Sequence, residues 1–168
     1  EHIEFHEEAP KRPNFLVVLA VLSFISIGIG TIATFFTLLS GPSSEEQLEQ
    51  DEAQLYESIQ VMKDAGMEDM VEILEITSKQ AQYINNEAFY SFYILSFLSL
   101  IVGFLGVFMM LKLKKIGFHL YVAYSLLPIL ITYSLIPINL ILGVSIITSV
   151  ILSAIFCILY GLNLKYMN

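Results

Sequence analysis

Four long apolar stretches, separated by polar segments, set the pattern of the chain. They cover residues 15–39, 89–111, 118–136 and 138–162. About 20 helical residues are needed to cross the roughly 30 Å hydrocarbon layer of a bilayer, and each stretch is about that long. The pattern predicts an all-α integral membrane protein with four transmembrane helices. The membrane lipid bilayer is then one partner of this protein.

The polar segment between the first two stretches, residues 40–88, has the sequence signals of a helical hairpin. Its start reads GPSSEEQ, in which Ser43 or Ser44 can cap a helix while Glu46 or Gln47 reaches back. Gly66 lies near the middle, where a left-handed residue would end the first arm. Two arms of about 20 residues, each about 30 Å long, would return the chain to the membrane beside its point of departure.

Each arm of this predicted hairpin carries apolar residues at helical spacing. The stripe on the second arm alternates spacings of three and four residues and consists of Met67, Met70, Leu74, Thr77, Ala81 and Ile84. The stripe on the first arm is poorer and consists of Leu48, Leu55, Ile59 and Met62. Two interpretations stay open: the arms pack on each other through these stripes, or a partner protein docks on Met67, Met70 and Leu74.

The distribution of charge predicts how the chain is oriented in the membrane. Residues 41–88 hold twelve acidic residues against Lys63 and Lys79, a net charge of −10, and no Asp or Glu follows Glu87. The six other basic residues lie at the ends of the apolar stretches that face one side: Lys11, Arg12, Lys112, Lys114, Lys115 and Lys165. By the positive-inside rule, the tail 1–14, the loop 112–117 and the segment 163–168 are cytoplasmic, and the hairpin is extracytoplasmic. The acidic charge also argues against nucleic acid as a partner.

Small residues recur at helical spacing in three of the membrane stretches, and the first contains Ser26, Gly30 and Thr34. The fourth contains Ser145, Ser149, Ser153, Cys157 and Gly161, and the second contains Ser96, Ser99, Gly103 and Gly106. Small residues at this spacing let helices approach closely, so they predict helix-packing interfaces. In the third stretch, Pro128 predicts a bend beside Tyr121, Tyr124 and Thr132. A hydroxyl-lined polar path and a ligand-binding site shaped by this bent helix are the alternatives.

The chain offers little acid–base, redox or metal chemistry. The four apolar stretches hold no acidic residue, and Cys157 is the single cysteine. His2 and His6 are four residues apart and could chelate zinc on a helix, but the H-E-x-x-H pattern is absent. His119 follows a cluster of lysines and is expected at the membrane interface. We therefore expect no catalytic, cofactor-binding or metal site, and no enzymatic activity.

Three segments of the chain resemble a family of small, uncharacterised four-span inner-membrane proteins of the Bacteroidota type. They read KRPNFLVVLAVLSFISIGIG at the start, MMLKLKKIGFHLYV in the middle and LYGLNLKYMN at the end. The resemblance covers about half of the chain and implies the bacterial inner membrane, with no activity assigned. The acidic hairpin is longer than this resemblance leads us to expect.

These observations favour one function and leave a second open. The first is a non-enzymatic inner-membrane accessory or scaffold subunit of a larger membrane protein complex, which docks through its small-residue helix faces and its acidic hairpin. The alternative is a small channel or solute facilitator that acts as a homo-oligomer, with Tyr121, Tyr124 and Thr132 along its path.

Overall fold

The computed structural model describes residues 12–168, and within that range all regular structure is helical, with no β-strand. The helices are α1 (Asn14–Ser40), α2 (Glu45–Asp64), α3 (Glu68–Tyr83), α4 (Phe89–Leu111), α5 (Lys115–Leu135) and α6 (Gly143–Gly161). By length and composition, α1, α4, α5 and α6 are each able to cross a membrane. The predicted all-α fold and the number of such helices are confirmed. The predicted tail 1–14 falls almost wholly outside the described residues.

Helices α2 and α3 are joined by a tight turn, and we call them together the acidic helix pair. The side chain of Ser44 accepts a hydrogen bond from the Gln47 N–H, and the Gln47 side chain accepts one from the Ser44 N–H, which confirms the predicted capping box. Gly66 has φ +70°, and the Met67 N–H donates to the Met62 carbonyl at 3.0 Å. This is the left-handed helix end predicted for Gly66, a conformation that glycine adopts without strain.

The two helices of the pair pack through a face of α3 that differs from the predicted stripe. Ile59 of α2 and Val71 of α3 are buried, whereas Met67 and Met70 are 47% and 52% exposed. Thr77 and Ala81 are exposed as well. The stripe was wrong as a packing face because polar residues take part in the contact between α2 and α3. A stripe counted from apolar residues alone leaves those polar residues out. Gln82 Nε2 donates to Glu52 Oε1 at 2.9 Å across the pair.

Helix α3 continues into α4 without a break, through the π-helical turn Ile84–Ala88. Asn85 lies in this turn and ties it to the start of α2. Its Oδ1 accepts from the Ser43 N–H at 2.7 Å, and its Nδ2 donates to the Ser43 carbonyl at 3.3 Å. The base of the acidic helix pair is thereby attached to the membrane helix α4.

Glycines bring α4 and α5 into backbone contact. A Cβ atom built on Gly117 would lie 2.5 Å from Met110 N and 2.6 Å from Gly106 O, and one built on Gly106 would lie 2.9 Å from Tyr121 N. One on Gly103 would lie 2.8 Å from the Tyr124 ring. A side chain at these positions would force the two helices apart, since real Cβ atoms essentially never come so close.

The buried core lies at the end of the bundle that carries Lys112, Lys114, Lys115 and Lys165, which we call the basic end. Its buried members include Leu16, Leu19, Met110, Tyr160 and Met167. The last residues of the chain pair with the α4–α5 turn here. The Lys115 N–H donates to the Asn168 carbonyl at 2.9 Å, and the Asn168 N–H donates to the Leu113 carbonyl at 2.7 Å.

The connection from α5 to α6 is longer than the sequence led us to expect. The fourth apolar stretch was predicted to begin its helix at residue 138, whereas α6 begins at Gly143. Pro137 has no N–H to donate, Ile136 is extended before it, and a single 3-10 turn, Ile138–Leu140, follows. This connection lies at the other end of the bundle, which we call the acidic end because α2 and α3 are attached there.

Candidate functional site

A cavity of about 450 Å³ separates α6 from α1 and α5. It extends from the acidic end, where Gln80 of α3 and Ile84 of the π-helical turn border it, toward the middle of the bundle, where Ser23 and Tyr121 border it. Along α6 it reaches from Ser145 to Phe156, which is about 16 Å at 1.5 Å per residue. We call it the hydroxyl-lined cavity. Its volume lies within the roughly 300–1,000 Å³ that is typical of ligand sites.

Hydroxyl-bearing residues of three helices line this cavity. They are Ser23 and Ser26 of α1, Tyr121, Tyr124, Ser125 and Thr132 of α5, and Ser145, Ser149 and Ser153 of α6. The remaining lining is mainly aliphatic or aromatic, and it includes no acidic, basic or histidine side chain among the described residues. Pro128 of α5 also lines it. The bent, tyrosine-bearing helix predicted as an alternative site does border a cavity, together with α1 and α6.

Some of these hydroxyls are already hydrogen-bonded within the chain. Ser23 Oγ accepts from the Tyr160 hydroxyl at 2.9 Å, and Ser149 Oγ donates to the Ser145 carbonyl at 2.9 Å. Ser125 Oγ donates to the Tyr121 carbonyl at 3.0 Å. Within residues 12–168, no side-chain hydrogen bond is formed by the hydroxyls of Ser26, Tyr124, Thr132, Ser145 and Ser153. The ninth hydroxyl, that of Tyr121, is within reach of Ser23, so the five are the groups that remain for a bound molecule.

The buried core lies beyond the inner end of the cavity. Tyr121 lines the cavity, and its ring centroid lies 4.6 Å from that of the fully buried Tyr160. Leu16, Leu19 and Met110 lie in the same core cluster as Tyr160. None of these four core side chains belongs to the described lining of the cavity.

The small residues predicted as a packing face on α6 divide into two groups. Cys157 and Gly161 contact α5: Cys157 Sγ lies 3.6 Å from Ser125 Oγ, and a Cβ on Gly161 would meet the Phe118 ring at 3.9 Å. Ser145, Ser149 and Ser153 border the cavity instead of a neighbouring helix. Ser145 and Ser149 are exposed and Ser153 is half-buried, while Tyr160, in the last turn, is the one buried residue of α6.

The small residues predicted on α4 lie away from the cavity. Gly103 and Gly106 are buried against α5, Ser99 is buried, and Ser96 is half-buried. The Ser99 Oγ has no hydrogen-bond partner within the described residues. Gly117 completes this contact from α5, and its importance escaped the sequence reasoning because it lay in the segment predicted as a loop, 112–117. The KKIGF run that contains it was the available signal.

The residues predicted for docking lie at the turn of the acidic helix pair. Met67 and Met70 are exposed and Leu74 is half-buried, while Val61, on the other side of the turn, is 65% exposed. The acidic side chains of the pair are exposed around them. Among the described residues one salt bridge is formed, between Lys79 Nζ and Glu75 Oε2 at 3.8 Å. The negative charge of this surface is thus almost uncompensated by basic side chains of the chain itself.

Histidine and metal-ligand chemistry stay sparse in the described part of the chain. Within residues 12–168, no group of three or more His, Cys, Asp or Glu residues is placed to hold a metal ion. His119 is exposed, and its Nδ1 lies 3.1 Å from the Lys115 carbonyl. His2 and His6, weighed above as a zinc pair, lie outside the described residues.

Comparison with known proteins gives a family and no activity. Neither the curated proteins nor the solved structures contain a match to the chain. A family model described as a domain of unknown function, DUF8777, matches residues 10–159. That match includes every residue that lines the cavity and the whole acidic helix pair. The chain therefore belongs to the DUF8777 family of domains of unknown function.

Proposed function

We propose that this chain is a non-enzymatic accessory or scaffold subunit of a larger membrane protein complex, and that it docks its partner through the turn of the acidic helix pair. The observation that carries the proposal is the exposure of Met67 and Met70. Methionine side chains adapt to irregular partner surfaces, and exposed ones are typical of binding surfaces. Since α2 and α3 pack through Ile59 and Val71, these methionines are not needed to hold the pair together.

The charge around the turn determines the chemistry of the partner. Exposed acids lie within two helical turns of Gly66 on both sides, including Asp64, Glu68, Asp69 and Glu72. Acids packed this densely repel one another, and a cationic surface would relieve that repulsion and steer the encounter. The partner is therefore a protein with a basic surface around an apolar depression that receives Met67 and Met70.

The small-residue faces contribute less to docking than the sequence implied. Gly103 and Gly106 are occupied by α5 of the same chain, so docking through them would need α4 and α5 to separate. Ser145 and Ser149 are exposed, but they border the cavity. The acidic helix pair is available without any rearrangement, and for that reason we assign the docking role to it.

The proposed location is the bacterial inner membrane, in a protein of the Bacteroidota type, with both termini cytoplasmic and the acidic helix pair extracytoplasmic. Lys112, Lys114, Lys115 and Lys165 at one end of the bundle support this orientation, because basic residues are retained on the cytoplasmic side. The three segments that resemble small inner-membrane proteins support the choice of membrane. Labelling of single cysteines introduced at Lys114 and at Glu57, in a Cys157→Ala background, tests it in intact cells with an impermeant thiol reagent.

The docking proposal is tested by gentle extraction of the tagged chain from its native membrane. We expect a particle larger than the chain alone, with one partner at fixed stoichiometry that dissociates as salt is raised. The double variant Met67→Gln and Met70→Gln should weaken binding of the purified partner about tenfold or more, since two buried anchor residues are worth on the order of 1–2 kcal/mol each.

Tyr56→Gln is the matched control, because Tyr56 is equally exposed on α2 but lies about ten residues, or 15 Å, from the turn. It should leave the affinity within about twofold of the original. Equal losses for both variants, or a partner that binds independently of salt and of both methionines, would contradict the assignment of the docking site.

A homo-oligomeric channel or facilitator is the second candidate, and the presence of Tyr121, Tyr124 and Thr132 around the cavity favours it. Because the described lining of the cavity stops at Phe156 on α6, short of the buried core around Tyr160, such a path would have to run between copies of the chain. Reconstitution of the purified chain alone in liposomes discriminates the two functions. Solute uptake without any partner supports the channel, and an accessory subunit is silent in this assay.

A further inference from the structure

The hydroxyl-lined cavity has the properties of a binding site that docking at the acidic helix pair does not use. Its lining combines aliphatic side chains such as Leu22, Ile129 and Leu152 with hydroxyls from three helices. An aliphatic surface favours a hydrocarbon chain, while hydroxyls without partners inside the chain favour a molecule that donates or accepts hydrogen bonds. A molecule with both features is an amphiphile.

The absence of charged side chains from the described lining limits the head group of that amphiphile. A buried charge without a counter-charge is costly, so a phosphate, carboxylate or ammonium group would be rejected. An alcohol, ester or carbonyl group carries no such cost. It can pair with the free hydroxyls of Tyr124, Thr132 and Ser153.

The dimensions of the cavity agree with one hydrocarbon chain. Its depth along α6 is about 16 Å, which is about half of a 30 Å hydrocarbon layer and so the thickness of one leaflet. Six residues border the cavity and are also exposed on the surface of the bundle: Leu22, Ser26, Pro128, Ser145, Ser149 and Leu152. Five of the six belong to α1 or α6, and they place a lateral opening between these two helices, where the bilayer would lie.

We propose that the hydroxyl-lined cavity binds an uncharged single-chain lipid, which enters sideways from the bilayer between α1 and α6. Its hydrocarbon chain lies along Leu22, Ile129 and Leu152, and its head group bonds to the hydroxyls of α5 and α6. This proposal is independent of the docking proposal, since it concerns a different surface of the chain.

Photolabelling of the full chain in phosphatidylcholine nanodiscs tests the proposal. The probe is a long-chain alcohol with a photoreactive group in its chain, and the comparison probe is the alkyl sulfate with the same chain. We expect the alcohol to label residues of α5 and α6 that border the cavity, about fivefold more than the sulfate does. Excess unlabelled monoacylglycerol should suppress this labelling.

Matched variants of α6 separate the cavity from general contact with lipid. Ser149→Leu with Ser153→Leu adds bulk inside the cavity and should lower labelling about fivefold or more. Thr148→Leu with Ala154→Leu adds bulk to residues of α6 that do not border it and should change labelling less than about twofold. Partner binding by either variant should be unaltered, so failure here is distinguishable from failure of the docking proposal.

Elution as a single species shows that a variant has folded. If the double leucine variant fails this criterion, a further variant keeps the test decisive. Thr132→Val preserves the shape of the side chain and removes only the hydroxyl, and it should lower labelling about two- to threefold. Equal labelling by alcohol and sulfate would overturn the proposal. So would labelling spread over the outward residues of α6, or labelling that neither Thr132→Val nor the double leucine variant reduces.

Discussion

The contact between α4 and α5 gives the sharpest prediction of stability, and Gly117→Ala is the perturbation that probes it. A Cβ at this position would lie 2.5 Å from Met110 N, 2.6 Å from Gly106 O and 2.9 Å from Met109 C. All three atoms belong to the backbone, so no rotamer change can make room. The added methyl group must move one helix relative to the other along the most tightly packed contact of the chain.

The expected cost of Gly117→Ala follows from two opposing effects. Alanine is favoured over glycine within a helix by up to about 1 kcal/mol. Overpacking typically costs about 1–3 kcal/mol and occasionally more, and a clash with backbone belongs at the upper end. We therefore expect a net loss of about 2–3 kcal/mol, which lowers the ratio of folded to unfolded protein about 30- to 150-fold.

The single cysteine provides the assay. Cys157 is partly buried on α6, and the chain has no tryptophan. A fluorogenic thiol reagent can therefore report unfolding as the concentration of a denaturing detergent is raised. Gly28→Ala is the matched control. Gly28 lies within α1, and a Cβ there would have no atom within 4 Å. The control should be neutral or stabilising by up to about 1 kcal/mol.

Two outcomes would refute this reasoning. One is a Gly117→Ala protein whose free energy of unfolding lies within about 0.5 kcal/mol of the original, the usual range for surface substitutions. The other is a Gly28→Ala protein that loses as much as Gly117→Ala does, because the loss would then reflect the substitution of any glycine.

Two further substitutions test contacts away from this interface. Asn85→Ala removes both hydrogen bonds to Ser43 and should destabilise the base of the acidic helix pair by about 1–2 kcal/mol, measured as faster amide hydrogen exchange in α2 with exchange in α5 unchanged. Tyr160→Phe removes the hydrogen bond to Ser23 but keeps the ring, so it should cost only about 0.6 kcal/mol in the same thiol-labelling assay. A loss above about 2 kcal/mol would indicate that the hydroxyl does more than bond to Ser23.

Features encoded by a few adjacent residues were predictable from the sequence. The capping box needs only Ser44 and Gln47, and the end of α2 needs only Gly66, so each could be named without any knowledge of neighbouring helices. The four apolar stretches are equally local, because crossing a membrane depends on length and composition within one segment. Boundaries were less secure where a proline intervened, as Pro137 demonstrates at the start of α6.

Features that depend on which surfaces meet could not be predicted in the same way. The stripe on α3 was counted from apolar residues, but Gln82 bonds to α2 and Met70 is 52% exposed. Small residues indicate that something can come close, and they do not say what. Gly106 meets a helix and Ser149 meets a cavity, although both belong to stretches of small residues at helical spacing.

The cavity is open at its side and is not an enclosed void, because several of its lining residues, Leu22, Ser149 and Leu152 among them, are exposed. Helix α6 is held near its basic end by Tyr160, its one buried residue, while its serines stay apart from a neighbouring helix. The lipid proposal accounts for both kinds of surface in this space. A hydrocarbon chain would cover the aliphatic side chains and an uncharged head group would bond to the hydroxyls, whereas water would satisfy only the hydroxyls.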